Sequence, residues 1–416
     1  MDGPVTAALP PLRRNARFQL LWAGAACATL ATEINRVALP LTLLALTGSA
    51  ARAGLVGSVL VASMLLLQMP AGIWVDRHDR RRILLGAQGA QVLNALLLLA
   101  GLATGHAGLA GFLVFAAVDG ACQAFLGSAR HVAIRAVVPV PQLRSAFAQE
   151  EARSHAGRVV GPALAGTLTA VGLFAPYLAM TASVLAAAVL ALLAKVPRRP
   201  EAPAPVAEGT EAPRRSMLGE TREALRWLIA RRGVRELILV IMAMNFFGGG
   251  VTLALIVHIR SLGGSDALAG LVLTGIGIGG LLGALASGRI ATAVPAGRLA
   301  IAVPVTLGLC LGLAGLPLAP WWPFVPILAF SLATPALNVA IDAVTAELVP
   351  PDMLGRIGSL LTVAAAALSP FGPLLGGLLA GTLGGGAALA IAGAGFVLTG
   401  LVGALSPTLR RFGAGG

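Results

Sequence analysis

Charged residues are scarce: 11% of a 416-residue chain, against 57% apolar, with a mean hydropathy of +0.87. That scarcity excludes a soluble domain of this size, whose surface needs far more polar area to stay dispersed. Cysteine is scarce too. Cys27, Cys122 and Cys310 lie singly within apolar runs, so neither a disulfide framework nor a Cys/His zinc site is indicated. The five histidines, His78, His106, His131, His155 and His258, are scattered, and the sequence contains no HExxH, no paired metal spacing and no P-loop. A metal-dependent membrane enzyme and an ATP-driven pump therefore lack their required parts. No catalytic residue, metal or cofactor is expected. A cleavable leader is not expected either, because the first apolar run begins near Phe18 and is long enough to remain a spanning helix.

What the sequence has instead is a recurrence of apolar runs near or beyond about 18 residues, the signature of membrane-spanning helices. Twelve are expected, over 18–46, 52–75, 83–104, 108–133, 142–171, 173–194, 234–259, 266–290, 299–318, 321–347, 354–381 and 385–408. The net charge of +13 comes from 30 basic residues, of which Lys195 is the one lysine. Most fall between the runs, on alternate sides. One side collects Arg13, Arg14, Arg17, the cluster from Arg77 to Arg82, Arg144, the stretch Lys195 to Arg235, Arg289, Arg298, Arg356, Arg410 and Arg411. The other keeps little beyond Arg52 and Arg260. By the positive-inside rule both termini are cytoplasmic, and the basic balance needs no nucleic-acid partner. A multi-pass protein of the inner (plasma) membrane is expected.

Residues 195–233 interrupt the pattern. Pro197, Pro200, Pro203, Pro205 and Pro213 read as a flexible cytoplasmic linker, and Met217 to Arg232 as an amphipathic helix on the inner membrane surface. The linker divides a six-helix unit at 1–194 from another at 234–416. An internal repeat supports that division. Val138, Pro139, Leu143, Gly161, Pro162 and Gly166 reappear as Val349, Pro350, Leu354, Gly372, Pro373 and Gly377, all at one offset of 211 residues. Gly72 and Arg82 pair with Gly288 and Arg298 at an offset of 216. Duplicated halves with a substrate site at their interface are common in secondary transporters.

The most specific motif joins spans two and three, Gly72-Ile-Trp-Val-Asp76-Arg77-His-Asp79-Arg80-Arg81-Arg82. Gly72 and Asp76 share a helix face, where glycine permits close approach and the acid can cap a neighbouring helix or pair with arginine. Arginines alone would satisfy a stop-transfer loop; the spaced Gly and Asp are beyond that need. This motif resembles the loop 2–3 signature of the major facilitator superfamily, and the chain is similar to its enterobactin-exporter and macrolide-efflux branch. Supporting residues are Arg17-Phe18, Leu21-Trp22, Val37-Ala38-Leu39-Pro40-Leu41, Thr47-Gly48-Ser49, Asp119-Gly120 and Leu354-Gly355-Arg356. Thr32-Glu33 stands where the branch usually shows Gly-Asp, and Thr292 replaces the acid in the second copy of the loop motif. The resemblance implies an all-α membrane protein of twelve helices in two pseudo-symmetric six-helix bundles. It also implies that Gly72, Asp76, Arg77, Arg80 and Arg81 form a conformational switch, present in the first half alone. Gly157-x-x-x-Gly161-Pro162-x-x-x-Gly166 resembles the glycine-proline motif of superfamily antiporters; close helix packing with bending at Pro162 is the simpler reading.

Intramembrane charge costs a few kcal/mol unless paired or wetted, so its placement is informative. Glu33 and Arg36 in span one, Asp119 in span four, Glu151, His155 and Arg158 in span five, and Asp342 in span ten are the interior charges, whereas spans 3, 6, 9 and 12 carry none. In the superfamily the chain resembles, helices 1, 4, 7 and 10 line the cavity and 3, 6, 9 and 12 face lipid. Glu33 and Arg36 can pair on one face, Asp119 is expected to reach Arg36 across the cavity, and Glu150 and Arg153 are expected in solvent near the cytoplasmic end. Asp119, Glu33, Glu151 and His155 are the proton-coupling candidates, with Arg36 and Arg158 as ion-pair partners; a static salt-bridge network is the alternative. Asn245, Asn338 and Asp342 are candidates for the substrate cavity.

The leading expectation is a proton-coupled exporter, a monomer in lipid, moving drug-like, macrolide or siderophore compounds by alternating access without catalysis. A nutrient uptake or facilitated-diffusion carrier is the alternative, and a membrane enzyme or non-transporting receptor a more distant one.

Overall fold

The computed structural model describes residues 11–195, 226–349 and 354–413, excluding the side chains of Asp76, Arg80, His131 and Arg356 among a few others. Within them the chain is helical, with α1 (Ala16–Thr47), α2 (Ala50–Arg77), α3 (Arg80–Ala103), α4 (Leu109–Val137), α5 (Leu143–Val171) and α6 (Ala175–Leu193) in the first half. The second half has α7 (Arg232–Gly248), α8 (Val251–Ser261), α9 (Asp266–Ala293), α10 (Ala296–Ala314), α11 (Phe324–Leu348), α12 (Leu354–Ala366), α13 (Phe371–Leu383), α14 (Gly385–Leu405) and the short α15 (Pro407–Arg411). The proline-rich linker and most of the expected amphipathic helix lie outside the described residues. Its last turn packs on one side against the second bundle, where Leu228 is buried with Val234, Val349 and Ile357.

Helix starts follow local chemistry. Asn15, Ser49, Asp79 and Ser265 each accept a hydrogen bond from a first-turn N–H of α1, α2, α3 and α9. Gly48, at φ 63°, ends α1 in the left-handed region that glycine enters without penalty. Among the described residues eleven segments are long and apolar enough to cross a membrane, counting α7–α8 as one and α12–α13 as one. The twelfth expected span, α5, is 29 residues long but carries Arg144, Glu150, Glu151, Arg153 and Arg158 in its first sixteen positions. Length makes it a span; charge keeps it from looking like one.

Two expected spans are broken. The seventh is interrupted between Gly248 and Val251, and the eleventh between Ala366 and Phe371, where Pro370 supplies no backbone donor. Glycine explains the first break: a Cβ on Gly250 would lie 2.6 Å from Gly376 Cα, so the two backbones meet there.

Each half repeats one packing scheme. In the first, α2 packs on α4, α3 on α4 and α6, and α1 on α5 and α6. In the second, α9 packs on α11, α10 on α11 and α14, and α7 and α8 on α14 and the α12–α13 pair. Two cross pairs, α5 with α9 and α2 with α13, join the halves and map onto each other under the same symmetry. This is an all-α membrane fold of twelve spans in two pseudo-symmetric six-helix bundles.

The 211-residue repeat now has a physical meaning. A Cβ on Gly166 would come within 2.8 Å of Gly270 Cα, and one on its counterpart Gly377 within 2.9 Å of Gly54 Cα. Both cross pairs are thus sealed by glycine against glycine near the end opposite the termini. Gly161 and Gly372 do the equivalent job inside each half, against Glu33 of α1 and Gly249 after α7. α5 runs unbroken through Pro162, whose carbonyl faces Gly270. The small residues act by letting backbones touch, the device that replaces hydrophobic driving force in lipid.

Candidate ion and substrate site

Between the halves lies a cavity of about 580 Å³. Asn35, Arg36 and Gln123 contribute polarity from the first half; Asn245, Phe330 and Phe396 come from the second. Arg36 is half exposed here and pairs with the buried Glu33 at 3.4 Å. Asn245 donates to Ala365 O at 3.0 Å, tying α7 to α12 at the cavity wall. Asn338 and Asp342 are not in this cavity. They line a second one of about 390 Å³ between α7, α11 and α12, bounded by Trp227 and Phe412.

Asp119 does not reach Arg36. Its side chain turns into the first bundle, 4% exposed, and accepts three amide donors. Gln91 Nε2 of α3 lies 2.8 Å from Oδ1; Gln123 Nε2 of α4 and Asn35 Nδ2 of α1 lie 2.9 and 3.1 Å from Oδ2. Among the described residues no arginine, lysine or histidine forms an ion pair with it. A carboxylate held by neutral donors alone is an unusual arrangement at membrane depth, where charges normally pair. Gln123, Asn35 and Thr32 also line the central cavity, so one layer of side chains separates Asp119 from it.

The sequence reading missed this cage. Gln88, Gln91 and Asn94 recur at three-residue spacing on α3, and all three are buried. Asn94 Nδ2 donates to Phe115 O of α4 at 3.0 Å. That amide stripe was the available signal, passed over because the third span carries no charge.

On α5, His155 Nε2 lies 3.2 Å from Glu151 Oε1, with Glu151 largely exposed and His155 buried. Arg158 is exposed on the same helix, and its backbone packs against Gly277 of α9. Glu150 and Arg153 are not in solvent. Arg153 is 8% exposed; its Nη2 bonds Glu150 Oε2 at 2.6 Å and its Nη1 bonds Ala25 O at 2.6 Å and the Thr29 hydroxyl. The arginine clamps α5 to α1 because lipid-depth backbone carbonyls of a packed helix accept what water cannot supply. Arg153→Leu is expected to cost about 3–5 kcal/mol by leaving Glu150 buried without its partner. Thermal unfolding of the purified variant checks this; an unchanged midpoint would mean the pair is dispensable.

In the loop motif, Asp79 Oδ1 accepts the Arg81 N–H at 2.9 Å and caps α3, and Trp74 stacks on His78 at 4.6 Å. Gly72 meets nothing: a Cβ there would have open space within 4 Å, so the expected close approach is not made. The side chains of Asp76 and Arg80 lie outside the described residues, while Arg77 is exposed. Gly157 packs on Thr29, placing the whole Gly157–Gly161 stripe against α1.

Twelve spans in twofold-related bundles around a central cavity define a membrane transporter. The model described as Major Facilitator Superfamily matches residues 21–330, and the chain belongs to that superfamily. It is 26% identical over 413 residues to Enterobactin exporter EntS of Citrobacter koseri, covering 96% of this chain and 94% of that one. Macrolide efflux protein A of Streptococcus pyogenes is 24% identical over 376 residues, covering 88% and 90%. Among solved structures, a bacterial homologue of the human lysosomal transporter Spinster matches with a TM-score of 0.66 at 16% identity, over 96% of both chains.

Proposed function

We propose that this transporter is a proton-driven exporter of moderately large, partly apolar compounds such as drugs, macrolides or siderophores, in keeping with its enterobactin-exporter and macrolide-efflux relatives. It works as a monomer by alternating access in a bacterial inner membrane, and it catalyses no chemical change. Its working units are residues 1–194 and 234–416, joined by a cytoplasmic linker. The single observation behind proton coupling is the buried Asp119, uncompensated by a cation and one side chain from the cavity. Such a carboxylate has its charge neutralised most simply by a proton, and loading and release of that proton then bias the two conformations. Glu33, paired with Arg36 at the cavity edge, and the Glu151–His155 pair are secondary carriers.

With both termini cytoplasmic, the glycine seams lie toward the periplasmic side. Their close approaches run from Gly166–Gly270 near the far end to Arg158–Gly277 at mid-helix. Apolar walls supplied by Phe330 and Phe396 favour substrates with substantial hydrocarbon surface.

In proteoliposomes, an imposed pH gradient is expected to drive efflux by the wild type and uncouplers to abolish it. Asp119→Asn is expected to retain substrate binding and lose the gradient dependence. Equilibration that ignores uncouplers, or an Asp119→Asn variant as gradient-driven as the wild type, would sink the coupling assignment. A panel of antibiotics, dyes and siderophores tested on a deletion strain identifies the cargo.

A further inference from the structure

Two of the three amides that hold Asp119 leave their own oxygens without partners. Asn35 Oδ1, Gln91 Oε1 and the neighbouring Gln88 Oε1 are buried with no donor in reach. The three residues are 3%, 7% and 3% exposed, so water outside the bundle does not satisfy them. Beside Asn35 and Gln91 is a small void of about 10 Å³, the room of a single water-sized sphere. Thr32, Asn35, Gln91 and Asp119 line it on the polar side; Ala31, Ala95, Met180 and Val184 close the rest. The Thr32 hydroxyl donates to Ala28 O, which leaves its lone pairs free.

A carboxylate and several neutral oxygens facing one small void are the donor set of a hard cation. One acid balances one positive charge, so the ion is monovalent, and a hole of this size favours a small one. Transition metals are disfavoured, since no cluster of three His, Cys, Asp or Glu side chains occurs among the described residues. We propose that Asp119, Asn35 Oδ1, Gln91 Oε1 and Thr32 Oγ1 form a sodium site in the first bundle, reached from the central cavity past Gln123.

Bound sodium would supply the missing counter-charge for Asp119 and partners for the orphaned amide oxygens together. A buried water satisfies only the amides. Gln123 serves as the door: it bonds Asp119 on one side and lines the central cavity on the other. Sodium and a proton then compete for one carboxylate. The groups around Asp119 bear on that competition. The amides of α1, α3 and α4 and the apolar Met180 and Val184 of α6 surround it, Cys122 on α4 feels its charge, and Glu33 and Arg36 on α1 pair with each other. The location rests on reading Asp119 as the ion-binding carboxylate, but binding is measurable without transport.

The test uses the full chain in detergent at alkaline pH, where protons compete least. Radioactive sodium binding and thermal midpoints are measured in sodium, potassium and choline chloride at equal ionic strength. Saturable sodium binding, displaced by acid, and a midpoint raised by sodium over choline are expected. Asp119→Asn should abolish both, and Gln91→Leu should weaken binding about tenfold or more. Glu347→Gln, an exposed acid on α11 far from the cage, should keep wild-type binding. Equal midpoints in sodium and choline with no saturable binding would mean the void holds water only, overturning the site. Should Asp119→Asn destabilise the fold, Gln91→Leu and Thr32→Val decide: unchanged sodium affinity in both refutes the ligand set. Gradient-driven efflux in sodium-free vesicles separates the two readings, since it tests the proton alone.

Discussion

Replacing Gly270 with valine is expected to prevent the two halves from closing on the side opposite the termini. A Cβ at that position would lie 2.8 Å from Gly166 Cα and 3.0 Å from Gly166 N, and would collide with the Pro162 carbonyl. These neighbours are backbone of a packed helix and have no rotamer to move into. Overpacking of this kind costs about 1–3 kcal/mol. Applied to one conformation of a transporter and not to the other, it shifts their ratio roughly tenfold per 1.4 kcal/mol. Transport should fall by one to two orders of magnitude on that basis. Gly377→Val, at the symmetry-related seam against Gly54, should do the same. Gly312→Val, where a Cβ meets nothing within 4 Å, should leave transport unchanged. The readout is labelling of a cysteine placed at Ser265, beside the seam, by a membrane-impermeant maleimide. Labelling should rise in both seam variants, and equal labelling in all three would show that the glycines do not gate this face.

The second large effect belongs to Asp119→Leu. Removing the acceptor leaves the amide groups of Asn35, Gln91 and Gln123 without it, in a site 4% exposed at its centre. Each buried donor left unsatisfied costs about 1–3 kcal/mol, so the thermal midpoint should drop sharply, and transport should fall to background. Asp119→Asn keeps an acceptor and the shape, so its fold should survive, while the proposed gradient dependence of transport should be lost. The contrast carries the inference. Adding Asn35→Leu and Gln91→Leu to Asp119→Leu should recover part of the lost stability, because removing every partner is cheaper than removing one. No recovery would mean that the cage holds the bundle by packing and not by its hydrogen bonds.

Several features were readable in the residue string and keep their meaning in three dimensions. The 211-residue repeat marks equivalent packing positions in the two halves, Gly161 and Gly372 inside each half and Gly166 and Gly377 at the seams between them. Glu33 and Arg36, three apart on one helix, do pair. Other readings failed for identifiable reasons. Arg153 looked solvated because its place on α5 was counted from the helix end, whereas Ala25 O and Thr29 of α1 lie against that turn. Gly72 looked like a packing glycine from its spacing to Asp76, yet no helix approaches it. Asp342 was grouped with the central cavity and instead faces a separate one.

Hydropathy and arginine placement are local and additive, so the sequence alone determined that this is a polytopic membrane protein, how many times it spans, and where its helices begin. Within the membrane every backbone group is satisfied inside its own helix, which makes each span legible by itself. Partnership between spans is different. Whether Asn35, Gln91 and Gln123 are three unrelated amides or one cage depends on how α1, α3 and α4 rotate about their axes. That rotation is set by side-chain packing distributed over the whole bundle, with a close glycine contact where Gly120 of α4 meets α2. Only the tertiary structure could turn Asp119 away from the cavity's arginine and into a ring of neutral donors.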